Sequence, residues 1–208
     1  AEYAVVRDAP DPRLAGLAER LTCLEQTEED MVRVKVRLEH VRDADVRLGW
    51  KADLARLKQR RASMIAKLVS TLRSHADLAA RYALVLSIDG IGPRTALALL
   101  IRMPELGGLS RGEAAALAGL APFNNHRGKR VRQRSIAGGR TRLRTSLYAA
   151  ALPAAFQWNA ACKALYARLR EAGKPHKLAL VACARKLILF ANAVLARGTP
   201  WTKSAAAA

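Results

Sequence analysis

Eight basic side chains, Arg127, Lys129, Arg130, Arg132, Arg134, Arg140, Arg142 and Arg144, fall within one stretch of chain that holds no acid. Such a cluster repels itself unless phosphates neutralise it, and a guanidinium can grip two phosphate oxygens at once. A merely solvated run would mix signs. Arg140 and Arg144 lie one helical turn apart, so they share a face while Leu143 and Leu147 bury the opposite one. The imbalance reaches well beyond this cluster. From Ala114 to Ala208 the only acid is Glu171, set against 17 basic residues, and this half supplies +16 of the chain's formal +19. A GC-rich genome raises arginine everywhere but does not strip Asp and Glu from one half. A basic membrane-surface helix is disfavoured because Trp and Phe are few and the cations are not confined to one amphipathic helix. Nucleic acid is the expected partner, and no membrane is expected.

A second group is Ile88-Asp89-Gly90-Ile91-Gly92-Pro93-Arg94-Thr95. A Gly-hydrophobic-Gly turn lets backbone N–H groups point outward at the start of the next helix, where the dipole also favours an anion. The pattern resembles a helix-hairpin-helix motif, a reader of the DNA backbone, which makes Gly90, Gly92, Arg94 and Thr95 candidate phosphate contacts. The alternative is a tight interhelical turn that needs Gly for positive φ. A third group, Gly173-Lys174-Pro175-His176-Lys177 with Cys183-Ala184-Arg185-Lys186, reads mainly as punctuation between helices that adds to the basic field. Cys23, Cys162 and Cys183 stand far apart without a CxxC, and the four histidines are scattered, so buried free thiols are expected and no metal site is.

The elements that must hold these groups read as helices. Leu14, Leu17, Leu21, Leu24, Met31 and Leu38 alternate spacings of three and four, with Glu28 and Lys35 filling two seam positions, and Trp50, Leu54, Leu57, Met64 and Leu68 repeat the rhythm. Two helices of roughly 30 and 25 residues are expected, with a turn between His40 and Gly49, either folded back as a hairpin or paired with another copy. From Asp77 the helices shorten. One opens on Pro93, one on a Ser110–Glu113 capping box, one near Thr141 that breaks near Pro153, one ends at Gly173, and the last runs from Pro175 to Arg197. No strand alternation is evident. The fold class is all-α: a long helical hairpin or coiled coil over residues 1–76, then a compact multi-helix domain over residues 77–203. No signal peptide or run of about 20 apolar residues appears.

Taken in order, SIDGIGPRTALALL, AALAGLAPFNN, RSIAGGRTRLRTSLYAAAL, EAGKPHKLALVACARKL and ARGTPW resemble the C-terminal domain of the insertion sequence 110 family of transposases, the Piv-type DEDD recombinases. The hairpin is similar to that family's coiled-coil segment. The resemblance implies a bacterial or archaeal, cytoplasmic recombinase of a mobile element that acts on DNA, as an oligomer, with an element-encoded guide RNA as a further partner in some members. It also implies that divalent metal, Mg, is bound by an N-terminal RuvC-like domain whose acids this chain lacks. The chain thus reads as the coiled-coil and C-terminal part of such an enzyme, without a cofactor of its own and inactive alone.

The family serine proposed as nucleophile falls five residues after the Pro of the AGLAP block, before a Gly. Here that position is Arg127. Ser135, between Arg134 and Arg140 on the same loop, is the nearest alternative nucleophile, and equally an ordinary polar loop residue. A nucleic-acid-binding protein descended from such a transposase, never an enzyme, is the alternative reading.

Overall fold

Residues 11–123, 126–127, 130–131 and 135–202 are described by the computed structural model, with Phe123, His126, Arg127, Arg130, Val131 and Ser135 described by their backbone alone. The chain divides into two compact units between Leu72 and Arg73.

The first unit is two long helices, α1 (Pro12–His40) and α2 (Ala44–Arg73). Asp11 starts α1, its carboxylate accepting from the Arg13 N–H at 2.9 Å, with Pro12 in the first turn where a missing N–H costs nothing. The chain then folds back on itself. Arg20 meets Thr71, Thr27 meets Met64, and Arg37 lies over the Trp50 ring at 4.7 Å, so the two helices run antiparallel within one chain. Leu14, Leu17, Leu21, Leu24, Leu68 and Leu72 are buried along this stripe. Glu28, an anomaly in an apolar seam, is answered by Arg61 of α2 at 2.8 Å.

Two expectations are corrected here. The turn is three residues, 41–43, because the Asp43 carboxylate accepts from the Val46 N–H and starts α2 at once, leaving Gly49 inside the helix. Lys35 is exposed, and Val34 takes the buried position instead.

The second unit comprises α3 (Ala76–Leu86), α4 (Pro93–Arg102), α5 (Arg111–Leu117), α6 (Thr141–Pro153), α7 (Ala160–Glu171) and α8 (His176–Arg197). Helix α8 is its axis. It packs on α3, α5, α6 and α7, and Leu180, Cys183, Ala184, Leu187, Ile188 and Ala191 are fully buried. By length and composition alone it is apolar enough to cross a bilayer, yet half of that stretch is buried inside the unit, as befits a core helix. Cys162 and Cys183, 21 residues apart in sequence, meet between α7 and α8, where Cys183 Sγ donates to the Cys162 carbonyl at 3.5 Å. The hydrogen bond with the neighbouring Cys183 and burial push the Cys162 thiol above its ordinary value, so it stays protonated at neutral pH.

The predicted capping box is formed. Ser110 Oγ accepts from the Glu113 N–H, and Glu113 accepts from the Ser110 N–H at 2.9 Å, which holds the Glu113 carboxyl below its usual range. That contribution to α5 is complete at neutral pH and fades as pH falls through the lowered value. Helix α6 ends at Pro153 and passes into a π-helical turn, Ala154–Trp158, before α7.

The loop between α4 and α5 is tied to α8 by one buried side chain. Asn192 accepts from the Gly107 N–H at 2.8 Å and donates to the Leu109 carbonyl at 2.7 Å. Asn192→Ala strands both groups, and urea denaturation should show a loss of about 2 to 3 kcal/mol.

Candidate nucleic-acid interface

The basic stretch leaves α5 through Leu120 and returns to α6 at Thr141. Its two ends are clamped by backbone. Gly119 (φ +66°) and Gly139 (φ +64°) approach so closely that a Cβ on Gly139 would lie 2.3 Å from the Gly119 nitrogen and 2.8 Å from the Leu117 carbonyl oxygen. The Arg140 N–H donates to the Leu117 carbonyl at 2.8 Å across the same crossing. Only glycine combines the left-handed φ with the absent side chain.

Beyond the crossing the backbone forms two short antiparallel ladders. β1 (Pro122–Phe123) pairs with β4 (Ser135–Ile136), and β2 (His126–Arg127) pairs with β3 (Arg130–Val131). The register sets Phe123 opposite Ser135 and Arg127 opposite Arg130. Such two-residue ladders, in a chain otherwise helical, carry too few residues for any alternation to show in the sequence. Arg127, Arg130 and Ser135 therefore have defined backbone positions, whereas Lys129, Arg132 and Arg134 lie outside the described residues.

Further cations serve the clamp itself. Arg144 Nη1 donates to the Gly138 carbonyl at 2.6 Å and to the Gly119 carbonyl at 3.4 Å, so it bridges both sides of the crossing. Arg140 is paired with Glu105, from the loop after α4. Arg142 is exposed on the first turn of α6. The charge pattern pointed all three toward phosphate; their geometry gives Arg144 and Arg140 internal partners that lie 25 and 35 residues away in sequence.

The glycine turn between α3 and α4 is built for packing at one glycine and open at the other. Gly90 (φ +93°) lies against Ala154, 2.6 Å from where its Cβ would sit, and the neighbouring Asp89 carbonyl accepts from Asn159 Nδ2 at 2.9 Å. Gly92 and Pro93 are exposed at the N-terminus of α4, with nothing within 4 Å of a Cβ on Gly92. Thr95 is buried. Arg94 Nη1 donates to Ser146 Oγ of α6 at 3.1 Å, and Ser146 in turn donates to the Arg142 carbonyl. The turn is thereby fixed to α6 and α7, with the open end of α4 at Gly92 as the part that faces solvent.

Among the described residues no group of three His, Cys, Asp or Glu could hold a metal ion.

Residues 82–167, the stretch that includes the glycine turn, the clamp and the basic loop, match the model of the Transposase IS116/IS110/IS902 family. This chain resembles that family over 86 of its 208 residues. Over 130 residues, 61% of its length, it is 30% identical to the pilin gene-inverting protein of Moraxella bovis and, equally, to that of Moraxella lacunata. The match spans 40% of each relative's length.

Two substitutions separate clamp from contact. Gly139→Ala should destabilise the second unit by more than the roughly 1 to 2 kcal/mol of a left-handed residue, since backbone stands in the way, and thermal unfolding will register it. Arg144→Ala should lower the melting temperature while leaving the salt dependence of nucleic-acid binding unchanged. A drop of about 0.9 in the log–log slope would instead mark Arg144 as a phosphate contact.

Proposed function

We propose that this chain binds DNA for the transposition or site-specific recombination of a mobile element. The observation that carries this is the acid-free basic loop held on a rigid clamp. Eight cations are gathered in one segment, and the nearest carboxylate bonded to it, Glu105, engages Arg140 at its base. Anchoring both ends of a charged segment lowers the ordering cost of phosphate contacts made through it. The family domain and the relatives named for inverting a gene support DNA as the substrate class. Gly92, exposed at the start of α4, supplies a second backbone contact, and the hairpin, with Val32, Val36, Val46 and Leu48 exposed near its tip, supplies a surface for a second copy of the chain. A guide RNA would use the same cations, and the setting is cytoplasmic.

Arg127 favours a second reading for catalysis. It stands at the family serine's position, so this chain is a binder whose recombination chemistry either uses Ser135 or is lost. Strand exchange by the full-length protein carrying Ser135→Ala decides between them: retained activity removes Ser135 as nucleophile.

Binding should weaken steeply between about 50 and 200 mM salt. Changing Arg130, Arg132 and Arg134 together to Ala should flatten the log–log slope by at most about three units in fluorescence anisotropy titrations. Salt-independent binding, or none to DNA or RNA, overturns the proposal.

A further inference from the structure

The second unit carries another cationic surface, outside the residues so far given a role. One stripe of α8, made of Leu178, Ala182, Arg185, Leu189, Ala193 and Arg197, recurs at intervals of three and four residues. Its C-terminal part lines a groove of about 550 Å³ that Arg111 at the start of α5, Lys186, Phe190 and Trp201 complete. Its N-terminal part lines a second groove, of about 530 Å³, whose far wall is Pro122 and Ile136 at the base of the basic loop. Ala182 and Arg185 line both, so the two grooves adjoin along α8. At 1.5 Å per residue the stripe runs for about 28 Å, close to one turn of a nucleic-acid duplex.

Charge decides what fits. Arg111, Arg185, Lys186 and Arg197 converge on the first groove, and no acidic residue lines either groove. None of the four is in an ion pair among the described residues, in contrast to Arg140. The nearest acid in sequence to Arg111 is Glu113, which is committed to its capping box. Lys186 is instead placed by the Phe190 ring, 5.6 Å from its centroid, and Phe190 packs on Trp201 at 4.2 Å. The Trp201 backbone is anchored in turn by its N–H to Ser87 Oγ at 2.8 Å. One cation held over an aromatic wall, three more lining the same groove, and no carboxylate among its walls are surroundings that suit a phosphodiester chain.

We propose, building on the DNA-binding reading above, that the α8 groove walled by Arg111, Arg185, Lys186 and Arg197 binds the phosphodiester backbone of a nucleic-acid strand running from the base of the basic loop. Trp201 borders the path and reports on it.

The test uses the whole chain with Trp50→Phe and Trp158→Phe, which leaves Trp201 as its sole tryptophan, titrated with duplex DNA, single-stranded DNA and RNA of equal length. Trp201 emission should change at stoichiometric ligand with at least one of the three, and which one identifies the strand. In the same background, Arg185→Ala, Lys186→Ala and Arg197→Ala together should reduce the salt slope by up to about 2.7 and shorten the occupied site, while Arg185→Lys with Arg197→Lys restores most of the slope. An unchanged slope with silent Trp201, in a chain that still binds through its loop, overturns the groove alone. No binding of any of the three overturns the DNA-binding reading and the groove with it. Should the triple alanine variant fail to fold, Arg197→Glu alone, at an exposed helix end, decides the same point: affinity should fall at least tenfold at low salt, and an unchanged affinity refutes the groove.

Discussion

Two glycines passing within backbone contact organise the second unit. The crossing of Gly119 and Gly139 turns a stretch of some twenty residues into a closed loop, and every other contact at its base depends on that closeness. Arg144 can reach the carbonyls of Gly119 and Gly138 together only because they are neighbours, and Arg140 can meet Glu105 only because the Leu117 carbonyl has already fixed its backbone. A half-buried guanidinium bonded to carbonyls is an expensive group to displace, so the crossing and its arginine reinforce one another.

Scarcity of carboxylates gives the unit its electrical character. Glu105 neutralises a clamp residue and Glu113 closes a helix cap, so two of the unit's five acids serve its architecture. Interior polar groups work the same way: Asn159 holds the glycine turn to the start of α7, and Asn192 holds the α4–α5 loop to α8. The cations not engaged in this way face outward by default. Their field is a property of the folded surface, on which carboxylates are few.

The helices were legible because their causes are local. Pro93, the Ser110–Glu113 box and Gly173 mark ends through their own backbone chemistry, and the three-and-four rhythm of leucines marks faces. Where the pattern misled, a competing local signal was stronger: Asp43 capped α2 well before Gly49 could break it, and Val34 outcompeted Lys35 for a buried position. The candidate site was less legible. Charge located the basic loop, but counting arginines does not reveal where a guanidinium points. Arg144 and Arg140 find partners far away in sequence, and Gly139 has a meaning only once Gly119 is beside it. The α8 groove needed Arg111 and Trp201, which lie 90 residues apart, to be brought to one helix.

The paired ends of the loop also separate two kinds of sequence change. Closing a longer loop costs only about 0.6 kcal/mol for each doubling of its length. Residues between Phe123 and Ser135 can thus be added, removed or exchanged with little effect on the fold beneath, since the crossing below them is already closed. The two blocks that meet at the crossing have no such latitude, because each is positioned by the other's backbone. A scaffold divided in this way lets the segment above the crossing change in length and composition while the clamp at its base stays the same.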